Sequence, residues 1–340
     1  MQRFLPLMGL LASTALLAVP AQAAEYHFER VATIKLPGLT GHGDITTYDP
    51  MDQMLYVSMP NDGLCVVDTR SRSVVKYIQN IPSPNGSSFD ADNVYVAAGD
   101  GAGAGKINDV IVISKESWKE VGRAQTDGTS PDGLVVEPKS HLLYVASDDN
   151  NNLEVYKTGK KLERKAVWPL YPDNPVAGPD VFTVVPSKNW IFQSDDSWEL
   201  RLNMTTGAIE AKVDTHVKLL KHGGTKGSIF DAKNDRLWVG TTNKNPGIFV
   251  IDPNTMSVIK TIPEKGGVDV VAFDPGLELV YAFEGGAKGF DVYDANTMQH
   301  VAFVSTGSGN THTGDVDPES HLVYAYEGDA GAVSVWKPVR

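Results

Sequence analysis

Short apolar runs, broken at regular intervals by Asp, Pro, Asn, Thr and Gly, recur along this chain from about residue 26 onward. One phrase returns seven times: a polar residue, an apolar stretch, Asp-Pro or a relative, then a tyrosine-centred apolar pair. Its clearest copies are Asp44 to Pro50 leading to Leu55-Tyr56-Val57, Asp132 to Pro138 leading to Leu143-Tyr144-Val145, and Asp269 to Pro275 leading to Val280-Tyr281-Ala282. Apolar runs bounded by turn residues predict strands, and proline suits the turn because its ring fixes φ and removes a ladder donor. Each phrase therefore predicts a hairpin of an inner strand and a tyrosine-bearing strand. A second hairpin follows in each repeat. Gly63 to Ile78 turns at Asp68, Gly247 to Ile262 at Asp252 and Gly289 to Val304 at Asp294, with related pairs over 109–123, 153–167 and 199–213.

The anchoring aromatics are Tyr56, Tyr95, Tyr144, Phe192, Trp238, Tyr281 and Tyr324, at steps of 39, 49, 48, 46, 43 and 43 residues. A period of roughly 40–50 residues filled with short strands is the signature of propeller blades. The predicted fold is all-β: a seven-bladed β-propeller of four-stranded antiparallel blades. The last repeat holds one further strand after Tyr324, at Ala332 to Trp336, and the missing one stands at the other end, in Tyr26 to Leu36. Joining them closes the ring and leaves no blade edge open. A chain of 340 residues would by length suggest two domains, but blades share one packed ring, so residues 24–340 are expected to form a single domain.

Residues 1–23 read as a signal peptide. Arg3 supplies the positive start, Phe4 to Val19 the apolar run, and Ala21-Gln22-Ala23 a small-residue cleavage site. The apolar run is short of the ~20 residues that a membrane span needs, and no other run is long enough, so the mature chain is expected to be periplasmic or secreted, without a span. Cys65 is alone in an apolar strand. There is thus no disulfide framework, no paired-cysteine metal knuckle and no Cys-x-x-Cys-His for covalent haem, and a small buried side chain is the simplest reading. The formal charge is −12, or −13 once Arg3 is removed, a balance that disfavours nucleic acid or an anionic membrane as partner.

Tyr56-Val57, Tyr95-Val96 and Tyr144-Val145, with loops such as Ser147 to Asn151 and Val-Ile-Asp252-Pro-Asn-Thr255, resemble the YVTN-repeat (YncE-like) β-propellers of bacterial envelopes. The resemblance spans essentially the whole mature chain. It implies relatives among periplasmic proteins of unassigned role, surface-layer proteins and propeller subunits that accompany redox enzymes. It identifies blades and leaves the chemistry open.

Aligning the seven phrases puts one residue per blade at one mouth of the central channel: Asp44, Asn85, Asp132, Asp180, Lys226, Asp269 and His312. Loops after the tyrosine strands add Asp148, Asp195, Asp196, Glu284 and Glu327. Such an acidic funnel suits a cationic small molecule or a divalent ion, calcium through carboxylate and amide oxygens. Zinc is the alternative, through His42 and His312 on blades that meet at ring closure; Asp132, Asp180 and Asp269 complete the expected metal set. An Asp or Asn at a strand start also commonly bonds its own backbone to shape a turn, and repetition at one position fits that building role. Lys226 and His312 depart from the repetition, although a lysine among carboxylates also relieves their repulsion. Two long connections, 168–179 with Tyr171 and 214–226 with His222, are expected to wall one side of the same mouth.

Other motifs fail. Gly99 to Lys106 resembles a phosphate loop, but Asp100 stands where the first glycine is required and no Ser or Thr follows the lysine. There is no Gly-x-Ser-x-Gly elbow and no His-Glu-x-x-His. The expected function is an exported binding protein, a monomer, that recognises a small ligand, metal ion or partner protein at the acidic mouth. The alternatives are a metal-dependent hydrolase of the lactonase sort, with His42 or His312 as base, and an accessory subunit of a periplasmic redox enzyme.

Overall fold

The alternation that predicts strands is matched by the strands themselves in the computed structural model, which describes residues 25–340 apart from 39, 60–62, 100–102, 104, 171–177, 218–223 and 243. The phrase beginning at Asp132 forms Pro131–Glu137 and Leu142–Ser147, and the hairpin after it forms Asn152–Lys157 and Glu163–Pro169, all antiparallel. Seven such four-stranded sheets make a ring. The structure is a seven-bladed β-propeller.

Where the phrase has a turn acid, as in every blade but the fourth, where Val185 stands, it braces the hairpin. Asp274 Oδ1 accepts the amides of Gly276 and Leu277 at 2.8 and 3.1 Å, and Asp90, Glu137 and Asp231 do the same two and three residues on. This is the side-chain mimic of a backbone turn that Asp favours. The seven anchoring aromatics are fully or almost fully buried. They pack between blades: Tyr324 meets Leu55 and Val57 of blade 1, and Tyr281 meets Val323 and Trp336 of blade 7. Cys65 is buried in the same way, and burial pushes its thiol up to about 12.

The ring closes through the N-terminal strand. His27–Lys35 pairs antiparallel with Ala332–Val339, from His27 opposite Val339 to Lys35 opposite Ala332. Arg30 of that strand lies 2.7 Å from the buried carboxylate of Glu327 and stacks over Trp336.

Five inner strands carry a register shift at their channel end, between Pro84 and Ser87, Pro131 and Leu134, Pro179 and Phe182, Thr225 and Ser228, and Val268 and Val270. The mouth residues Asn85, Asp132, Asp180, Lys226 and Asp269 all sit inside these bulges. A bulge frees a residue from cross-strand pairing and re-aims its side chain. Blades 1 and 7 differ. Their inner strands are Thr46–Asp49 and Gly314–Val316, so Asp44 and His312 precede the regular ladder. Bonds across the seam, such as Thr46 N–H to Thr313 Oγ1 at 2.8 Å, replace it there.

Candidate functional site at the channel mouth

Glycine follows the mouth residue in three blades, and close approach explains it. A Cβ on Gly86 would lie 2.6 Å from the Asp132 carbonyl oxygen, one on Gly133 2.8 Å from that of Asp180, and one on Gly227 2.7 Å from that of Asp269. Each blade's backbone therefore presses against the next at this level. The result is a narrow neck directly beneath the polar ring.

Above the neck the ring is strongly acidic. Lys226 Nζ donates to Asp180 Oδ2 across the boundary of blades 4 and 5. Burial alone would lower the Lys226 ammonium, but Asp180, Asp269 and Asp132 outweigh it and raise it, so the group stays charged. Asp44 is held well above the usual carboxylate range, first by burial and then by the charges of Asp269 and Asp180. Asp132 is raised likewise, by burial and then by Asp180, Asp44 and Asp148. Burial, with Asp180 next, lifts Asp148 to about 6. Like charges confined in one site disfavour one another's ionisation, which is why Asp44, Asp132 and Asp148 are raised.

Hydrogen bonding divides the ring into building and free members. Asn85 Nδ2 donates to the Pro131 carbonyl at 2.7 Å, and Asp180 Oδ1 accepts the Val181 amide at 2.7 Å. These two act partly as blade-building residues. Asp132 Oδ1 has no partner, and neither do Nδ1 and Nε2 of His312. His312 is 4% exposed. Burial lowers its imidazole against the opposing charge of Asp269, so the ring is neutral. The exposed His42 lies parallel to it, with ring centroids 4.1 Å apart and planes at 8°.

A cavity of about 370 Å³ opens beside the ring, lined by Asp44, Ser83, Asn85, Lys106, Asp132 and Asp148 among others. Below the neck, the channel widens into a second cavity of about 610 Å³ with apolar walls from Leu134, Val136, Phe182, Ile229 and Phe273. Sequence alignment of the phrases places the upper ring; the apolar chamber beneath it was legible only as the rest of each inner strand.

The loop acids separate. Glu327 is taken by Arg30. Asp195 is 1% exposed with both oxygens unpartnered, and burial, then Asp196 and Asp148, lifts it to about 7. Glu284 belongs to a different cluster, with Glu264 and Asp291, in which one ligand atom from each falls within 4.8 Å of the others. None of His42, His312, Asp132, Asp180 and Asp269, the expected metal set, belongs to a group of that kind among the described residues. Tyr171 and His222 lie outside the described residues, as do the rest of 171–177 and 218–223 in the two loops that carry them. Glu264 and Asp291 were missed by the sequence reading. The available signal was Asp291 itself, an acid where the corresponding strand of blade 5 has Phe249.

No family model matches the chain, and no curated protein matches it. Solved structures do. The β-propeller domain of Cps50 (Swd1) from Myceliophteria thermophila aligns with a TM-score of 0.71 at 12% identity, covering 91% of this chain and 99% of that one. A chain of the mitotic checkpoint complex aligns with a TM-score of 0.76 at 10% identity, covering 98% of each. A chain of Kuenenia stuttgartiensis hydrazine synthase aligns with a TM-score of 0.71 at 14% identity, covering 94% and 98%. At such identities the likeness establishes the propeller fold.

Proposed function

We propose that this chain is an exported, monomeric binding propeller of the YVTN-repeat kind, whose acidic mouth receives the cationic group of a small molecule or partner protein. The observation that carries the reading is the crowding of Asp44, Asp132, Asp148, Asp180 and Asp269 around Lys226, with Asp132 Oδ1 left without a partner. Carboxylates raised as Asp44, Asp132 and Asp148 are gain most when an ammonium or guanidinium group displaces their protons. The adjoining cavity of about 370 Å³ is much larger than a bare ion and suits an organic cation. Propellers similar in fold occur in assemblies, including the mitotic checkpoint complex, which supports a protein side chain as one source of the cation.

The test is calorimetric titration with 1,4-diaminobutane and with a lysine-rich peptide. The wild type is expected to bind at pH 8, and Asp132→Asn to bind at least about tenfold more weakly, a change of ~1.4 kcal/mol. A wild type that binds neither probe overturns the reading. The second reading, a hydrolase, is favoured by one feature, the neutral and unpartnered His312 beside Asp269. His312→Ala should then abolish turnover on a lactone panel.

A further inference from the structure

Glu264, Glu284 and Asp291 gather between blades 5 and 6. Glu264 follows the outer strand Ser257–Pro263 of blade 5, Glu284 ends Leu279–Glu284 of blade 6, and Asp291 lies on Gly289–Asp294 beside it. Glu284 is fully buried. Its Oε2 accepts the Gly266 amide at 2.6 Å, while its Oε1 meets no donor although Glu264 and Asp291 crowd it.

The repeat supplies an internal control. Asp291 pairs with Ala282, one residue past the anchoring Tyr281, and in blade 3 the same place belongs to Glu154, paired with Val145 past Tyr144. Glu154 is fully answered. It accepts the amides of Asp127 and Gly128 at 2.8 and 3.1 Å, the Tyr156 hydroxyl at 2.6 Å and the Arg164 guanidinium at 3.3 Å. In blade 6, Tyr293 stands for Tyr156 and donates to Glu264, and His300 stands for Arg164, its Nε2 2.5 Å from Asp291 Oδ1. One carboxylate facing a guanidinium has become three carboxylates facing one imidazole. An uncompensated buried carboxylate is costly unless it takes a proton or a cation.

We propose that Glu264, Glu284 and Asp291 form an interblade site for one hard divalent cation of the calcium class. Three carboxylates, with Glu284 Oε1 left without a donor, provide oxygen ligands and no thiol, the donor set that calcium prefers, and water completes the sphere. His300 holds Asp291 from behind, the usual support for a ligating carboxylate. Glu264 is half-buried and the His300 side chain half-exposed, which leaves a path for the ion. The ion ties blade 5 to blade 6.

Terbium(III), a luminescent stand-in for calcium, tests this directly, because Tyr293 adjoins the site and Trp238 packs 6.1 Å from Tyr293. Excitation of the aromatic residues of the full chain should give terbium emission that saturates at one ion per chain and is quenched by calcium. Glu284→Gln and, at the more exposed position, Glu264→Gln should each weaken binding at least about tenfold, whereas Asp132→Asn should leave it unchanged. Absence of saturable emission from the wild type overturns the proposal, as does emission lost with Asp132→Asn and retained with both glutamine variants. Neither result touches the diamine binding of the mouth, which depends on other residues.

Discussion

The Lys226 ammonium of blade 5 donates to the Asp180 carboxylate of blade 4, placing a fixed cation inside a ring of acids at the channel mouth. It is an internal occupant of the site that the ring offers. Replacing it removes a counter-charge from Asp180, Asp269 and Asp132. Lys226→Met is expected to cost about 1–3 kcal/mol at pH 8, where a buried acceptor loses its donor, and less at pH 5, where Asp148, lifted to about 6, carries a proton and relieves the ring. The same variant should bind 1,4-diaminobutane more tightly than the wild type at pH 8. Denaturant melts at the two pH values and calorimetry check both outcomes.

Glu199 gives a pH signature of its own. Burial, with Asp195 adding, raises it to about 8 against a bond from Ser194. A raised folded-state value means that the native protein binds the proton more strongly than the unfolded chain. The stabilisation is complete below the unfolded value near 4.5 and is lost as pH rises through about 8. Glu199→Gln keeps the neutral shape, so its thermal midpoint should fall less than that of the wild type between pH 5 and pH 9. Parallel curves for the two proteins would remove Glu199 from the account.

The neck makes a steric prediction. Gly133→Ala would set a methyl 2.8 Å from the Asp180 carbonyl and 2.9 Å from Val181 Cα, both backbone atoms that yield poorly. A loss of about 1–3 kcal/mol is expected, as for overpacking elsewhere, together with weaker diamine binding because Asp132 and Asp180 are displaced. Gly286→Ala, where a methyl would meet only the Gly266 Cα at 3.6 Å, is the control for folding.

Ring closure predicts an asymmetric pair. Arg30→Ala leaves the buried Glu327 without its guanidinium and strips a cation from Trp336. It should destabilise by about 1–3 kcal/mol, and Glu327→Gln should restore part of that loss in the double variant. Chemical denaturation of the four proteins as a double-mutant cycle measures it.

Much of this architecture was legible because blades repeat what the chain writes locally. Asp-Pro turns, Tyr-Val strands and the strand left over at each end predicted the hairpins and the closing pair His27–Lys35 with Ala332–Val339. The alignment also put one polar residue per blade at the mouth; five of these sit in a bulge of the inner strand, while Asp44 and His312 precede theirs. Pairings between distant residues were not legible. Arg30 and Glu327 are nearly a chain length apart, and Glu264 joins Asp291 only because blades 5 and 6 pack side by side. The stacking of His42 on His312 also needs the closed ring; the sequence placed both histidines at the seam without their mutual orientation.

The most direct test of the central claim, that the mouth acids exchange protons for a cation, is proton release on binding. Calorimetric titration of 1,4-diaminobutane at pH 6, in buffers of different ionisation enthalpy, counts the protons. Because burial lifts Asp148 to about 6 and raises Asp44 and Asp132 well above the usual carboxylate range, binding should release protons and tighten as pH rises from 5 to 8. Asp148→Asn should lower the number released. Binding with no proton release, or affinity that stays flat across that range and survives Asp132→Asn, would contradict the account.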